Sequence, residues 1–216
     1  MLLNTLVMAL WINMDRLVGV RFITLEQMGL YTVAWNLASV LEALVTRACD
    51  VYFSMLARKG EADDQTAWHE EVCARFTRLA LPCGAFLVGM SPLAISMLYD
   101  KRYAAAGPLF SVLIARLFVR TLGQVQFQYL LVRAEVHLAT KAYVVALLVQ
   151  SILFSILVPR FGTLGLAFSS LGSTATLTFV QTYLLSRKTG WGLGGFAATI
   201  SGVAAGLAFL AIAFGH

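Results

Sequence analysis

Charge is scarce in this sequence. Only 12% of its 216 residues are Asp, Glu, Lys or Arg, whereas 59% are hydrophobic. A soluble domain carries about 25% charged residues, so an ordinary water-facing surface is excluded. Cysteine is equally sparse. Cys49, Cys73 and Cys83 lack metal-ligand spacing and fall in or near apolar runs, which fits small buried residues and gives no metal site. The three histidines are scattered: His69 in a hydrophilic loop, His137 at a helix entry and His216 at the end. Those are positions of surface residues rather than of a catalytic base. Walker A, HExxH, CxxC and dinucleotide motifs are missing. An ATP-driven pump or a membrane protease therefore has no support, and neither enzymatic activity nor a cofactor is expected. Short segments alternating with period two are missing too, which removes a β-barrel.

What the sequence has is apolar runs of membrane-spanning length, repeated along the chain. They predict an all-α, polytopic membrane helical bundle of about seven transmembrane helices. Met1 enters the first run with no basic segment before it and no A-x-A-like site after it, so the first helix is expected to be retained. The net charge of +5 suits positively charged inner loops and an anionic partner.

One stretch dominates the rest. Pro108 to Arg133 is long and apolar enough to cross a bilayer, yet Arg116, Arg120, Gln124 and Gln128 recur every fourth residue. That spacing places all four on one helix face. An arginine near the middle of a membrane helix costs about 2.5–3.5 kcal/mol on insertion scales. The face is therefore predicted to turn toward other helices or a water-filled cavity. Two like charges one turn apart repel and call for more than one anionic partner. A phosphate or diphosphate supplies such charge, and guanidinium matches phosphate oxygens in bidentate fashion. The glutamines suit sugar hydroxyls.

In chain order, a first helix is predicted at about Leu2–Val20 with Asn4, Asn13, Asp15 and Arg16. The last two point about 100° apart and so cannot pair well with each other. Arg21–Met28 is a short connection. A second helix at about Leu30–Leu56 carries Asn36, Ser39, Glu42, Thr46 and Asp50, an expected second inward-facing polar stripe, with Arg47 placed to pair with Asp50. Arg58–Glu71 is the hydrophilic loop, with Asp63 or Asp64 as a helix cap and Trp68 at the membrane interface. A third helix at about Phe76–Leu98 contains Pro82 and Pro92 and is expected to be kinked for packing reasons. Tyr99–Gly107 leads into the arginine helix. A fifth helix at about Thr140–Val158 ends at Pro159–Gly162. A sixth at about Leu164–Leu185 repeats Ser170, Thr174, Thr178 and Thr182, a small-residue stripe suited to close packing. Gly190–Gly195 links to a seventh helix, Phe196–Phe214, with Gly202 and Gly206 in a GxxxG. Lysine and arginine are denser in alternate loops (Arg58, Lys59, Arg133, Lys141, Arg187, Lys188), which places those loops and the N-terminus inside.

The stretch GLYTVAWNLASVLEALVTRACDVYFSMLARKG is similar to the second helix of the carboxy-terminal lobe of polysaccharide and O-antigen flippases, within the multidrug/oligosaccharidyl-lipid/polysaccharide exporter superfamily. DRLVGVRFITLEQMGLY resembles the segment that precedes it in those proteins. LYDKRYAAAGPLFSVLIA resembles their periplasmic link, and LVPRFGTLGLAFSSLGS their tight late Pro-x-Tyr-Gly-x-x-Gly turn. Two features depart from relatives. A proline is missing at Phe53-Ser54-Met55, and an asparagine is replaced around Phe154-Ser155.

The resemblance implies that residues 1–188 form a six-helix bundle like the carboxy-terminal lobe of such a flippase. Residues 189–216 then add the glycine-rich link and one further transmembrane helix. It implies a multi-pass protein of the bacterial cytoplasmic membrane that moves lipid-linked oligosaccharide or polysaccharide repeat units. The expected partners are a lipid-diphosphate-linked glycan, membrane lipids and a second lobe or second copy, with no nucleic acid. As a partial chain, it would need that second lobe to complete the cavity. Candidate cavity residues are Arg116, Arg120, Gln124, Gln128, Arg16, Asp15 and Asp50. Two alternatives are a cation-coupled multidrug exporter of the same superfamily, using Asp15, Glu42 or Asp50, and a membrane assembly subunit that transports nothing.

Overall fold

The computed structural model describes residues 2–58 and 62–189. Five α-helices run through them: α1 (Leu2–Phe22), α2 (Leu25–Ala57), α3 (Ala62–Leu98), α4 (Ala106–Val132) and α5 (Val136–Thr189). Among the described residues there is no strand. Within α5 the backbone turns over at Gly162, where φ is 55° and ψ is −126°. That left-handed conformation favours glycine. It divides α5 into two antiparallel arms, 136–161 and 163–189. The return needs a second small residue, because a Cβ on Gly165 would fall 2.3 Å from the Leu157 carbonyl oxygen. The described residues thus form six rods. The expected seventh helix, Phe196–Phe214, with its link and GxxxG, lies outside the described residues. Residues of α2, α3, α4 and α5 are each long and apolar enough to cross a membrane. The first helix is not among them, since Asn4, Asn13, Asp15 and Arg16 dilute its apolar run.

The arginine helix is the centre of the fold. Helix α4 packs against α2, α3 and both arms of α5, while α1 lies on α5 and makes few close backbone approaches to α2. Seven consecutive α4 residues, from Leu109 to Ala115, are buried, so every face of this segment is covered. A helix buried all round must be apolar all round except where polar groups find partners. The Ser170, Thr174, Thr178 and Thr182 stripe is buried, and the Thr178 hydroxyl donates to the Val119 carbonyl of α4 at 3.1 Å. Gly123 of α4 meets that threonine so closely that a Cβ there would lie 2.6 Å from Thr178 Oγ1. The stripe serves close helix packing. Outward-facing Val40, Leu44, Leu79 and Phe86 are exposed apolar residues, as lipid contact requires.

Several expectations need correction. The connection Arg21–Met28 shrinks to Ile23 and Thr24, because the Thr24 hydroxyl caps α2 by accepting from the Gln27 N–H. The hydrophilic segment after Arg58 is mostly helix: α3 begins at Ala62, so Asp63 and Asp64 lie inside its first turn rather than ahead of it. The polar stripe of α2 is mostly open, with Glu42 alone turned to the buried arginines. Asn36, Thr46 and Asp50 are exposed, and Tyr31, Ala34, Ala38, Cys49 and Tyr52 form the buried face. Cys83 is exposed, unlike Cys49 and Cys73.

Candidate functional site

Helix α4 carries Arg116 and Arg120 one turn apart, both toward the seam between α1 and α2. Glu42 of α2 meets the pair. Arg120 Nε donates to Glu42 Oε1 at 2.7 Å, and Arg116 Nη1 stands 3.8 Å from Oε2. Glu42 is the one carboxylate in ion-pair range of the two cations, and the buried Asp15 carboxylate lies within electrostatic reach of both. The Arg116 side chain is only 4% exposed, and its Nε has no hydrogen-bond partner. A buried guanidinium with an unused donor is costly. Part of that cost is offset by aromatic faces. The Arg116 guanidinium lies 4.5 Å from the centroid of Trp35, and that of Arg120 lies 5.2 Å from Trp11. Arg16 is exposed and also reaches Trp35, at 6.0 Å.

Asp15 is buried one layer deeper, where α1 meets α2 and both arms of α5. Tyr31 Oη donates to Oδ2 at 2.7 Å, Ser170 Oγ to the same oxygen at 2.9 Å, and Gln150 Nε2 to Oδ1 at 2.7 Å. All three donors are neutral. Trp11 Nε1 donates to Ser173 Oγ at 2.7 Å and ties α1 to the second arm of α5. Asp15 and its neighbour Arg16 diverge, as helical geometry requires: one is buried and the other exposed.

The remaining predicted residues scatter. Gln124 is half-buried and Gln128 buried, further along the arginine face of α4. Asp50 is exposed and pairs with Arg47 at 3.6 Å, away from the arginine pair. The structure thus brings Arg116, Arg120, Arg16 and Asp15 to the seam and leaves Asp50 outside it. The sequence offered Glu42 as a coupling carboxylate of the alternative exporter and not among the candidate cavity residues. It also missed Trp11 and Trp35. The signal available for them was their spacing: Trp11 lies one turn before Asp15, and Trp35 one turn after Tyr31.

A second buried polar cluster joins α2, α3 and α4. His69, expected on the surface, is 1% exposed. One ring nitrogen meets Tyr52 Oη and the other lies 3.1 Å from Gln126 Oε1. Cys73 Sγ is 3.6 Å from His69 Nε2, and the Tyr129 ring lies 4.3 Å from the His69 ring. Every polar member is engaged with another, as a structural network requires.

These features define a helical membrane protein with a buried basic pair at an interhelical seam. Residues 1–108 match the family described as polysaccharide biosynthesis protein, and the chain belongs to that family. The matched half holds Trp11, Asp15, Trp35 and Glu42; the two arginines lie beyond it. No curated protein and no solved structure matches the chain significantly. The family fits a membrane flippase or exporter in general terms.

Proposed function

We propose that this chain forms one lobe of a non-enzymatic flippase of the bacterial cytoplasmic membrane. Its substrate is a lipid-linked oligosaccharide or polysaccharide repeat unit, and a second lobe or second copy completes the cavity. Arg116 and Arg120 hold the diphosphate, and Gln124 and Gln128 lie further along the same face toward the sugars. One observation carries the reading: two arginines are kept one turn apart inside an apolar bundle, with one carboxylate in ion-pair range and an unused donor on the Arg116 guanidinium. Purely structural ion pairing engages the guanidinium donors, whereas a buried donor left unused suits an anionic ligand. Charge reversal by Arg120→Glu should abolish glycan export while the protein remains in the membrane. Export at the original rate would remove the assignment.

A second reading rests on Asp15. Asp15 is a buried carboxylate whose hydrogen-bond donors are all neutral, with Arg116 as a cation at electrostatic range, a position that a coupling cation would share in a cation-coupled exporter. Purified protein that binds cationic dyes and ignores lipid diphosphates would favour that reading.

A further inference from the structure

We propose that Glu42 is an internal stand-in for the substrate's anion, so that a lipid-linked diphosphate must displace it to reach the arginines. The inference rests on the flippase reading above. Glu42 is the only carboxylate among the described residues that lies within 4.0 Å of either arginine. It engages them unequally, close to Arg120 and distant from Arg116, and Arg116 Nε is left without a partner. One carboxylate cannot serve two guanidinium forks. A diphosphate can, because it offers two phosphoryl groups and more than one negative charge.

The geometry also limits access. In this conformation Glu42 sits on the basic pair, with Trp35 and Trp11 over the two guanidinium groups. The side chain of Glu42 keeps 21% of its surface exposed, so it has a way out. The face of α2 on either side of it is polar and open: Asn36, Thr46 and Asp50 are exposed there. Close backbone approaches between α1 and α2 are few, and the Tyr31–Asp15 hydrogen bond and the Arg16–Trp35 contact are what join them along the seam.

Glu42 therefore acts as a specificity-determining residue. A tethered carboxylate competes at a high effective concentration that no free monoanion in the bilayer matches. A monophosphate headgroup meets an occupied site and is repelled by the carboxylate. A diphosphate replaces the carboxylate at both arginines. Common anionic phospholipids are thereby refused, although they far outnumber any lipid-linked glycan.

The test uses the full chain in lipid nanodiscs, with farnesyl diphosphate and farnesyl monophosphate as probes. Glu42→Gln keeps the shape and removes the charge. It should bind the diphosphate about tenfold more tightly than the unaltered protein and should gain more than that for the monophosphate, so that it discriminates less between them. Glu42→Asp keeps the charge on a shorter arm and should fall between the two; it carries the test if the glutamine variant does not fold. Unchanged or weaker diphosphate binding in these variants, with the unaltered protein binding normally, would overturn the role of Glu42 alone. If neither the unaltered protein nor the variants bind the diphosphate, the inference falls together with the flippase reading.

Discussion

Arg120 Nε lies 2.7 Å from Glu42 Oε1, and this contact crosses from the most buried helix of the bundle to a helix whose polar face is open. The same carboxylate is 3.8 Å from Arg116, beyond hydrogen-bonding distance. The two arginines are therefore not equivalent. Arg120 is held by charge and Arg116 chiefly by the Trp35 face. Lysine would keep the charge at either position but lose the fork and the stacking. We expect Arg116→Lys and Arg120→Lys each to weaken farnesyl diphosphate binding about tenfold. Arg116→Lys should also lower the thermal midpoint more, since its new ammonium would be almost fully buried. Binding titrations and thermal unfolding in the same detergent check both statements.

Asp15 anchors α1 to the bundle. Asp15→Ala would leave the Tyr31, Ser170 and Gln150 donors unpaired together, at a cost of about 3–5 kcal/mol. Asp15→Asn should cost less, about 1–2 kcal/mol, because its oxygen can accept from Tyr31 and Ser170 while the Gln150 amide flips. Denaturation of the purified variants gives the order, and equal losses for the two would contradict this description of the site.

Backbone geometry gives a third set. Ala134 ends α4 with φ of 57°, and the Glu135 N–H bonds the Leu130 carbonyl at 2.8 Å, a helix stop in which glycine is the favoured residue. Ala134→Gly should stabilise the protein by about 1 kcal/mol. Gly165→Ala should do the reverse and cost at least about 1–3 kcal/mol, because the obstacle, the Leu157 carbonyl, is backbone and cannot swing aside. Gly89→Ala meets nothing within 4 Å and should be neutral or slightly stabilising. Thermal midpoints of the three variants test the assignments side by side.

The buried histidine cluster predicts a stability effect without a transport effect. His69→Phe removes the partners of Tyr52 Oη and Gln126 Oε1 and should cost about 1–3 kcal/mol. The surviving folded fraction should bind farnesyl diphosphate as before, because the cluster contacts neither arginine. A change in affinity greater than the change in folded fraction would show that α2 couples the two sites.

Much of this architecture was legible in the sequence. A four-residue spacing of Arg116, Arg120, Gln124 and Gln128 on an apolar run can be satisfied only by a helix enclosed by others, and α4 is the enclosed one. Pro159 to Gly165 announced the reversal within α5, because glycines at both Gly162 and Gly165 permit the close return. His69 was not legible. It follows a run of charged residues, so the local composition suggests a loop, yet the helix extends through that run and turns one face inward. The α2 stripe misled for a related reason. Spacing shows that Asn36, Ser39, Glu42, Thr46 and Asp50 share a side, but not whether that side meets a neighbour. Only the relative placement of α2 and α4 selects Glu42 from the five. Trp11 and Trp35 escaped notice because tryptophan is common in membrane helices, and its use here depends on an arginine some 80 residues or more away in the chain.

The most direct test of the basic pair is native mass spectrometry of the protein taken from its own membranes with lipids retained, alongside an Arg116→Gln, Arg120→Gln double variant. The account predicts a lipid-diphosphate adduct on the unaltered protein, at a mass above that of one chain, and its loss from the variant. The same adduct on both proteins, or on neither, would contradict it.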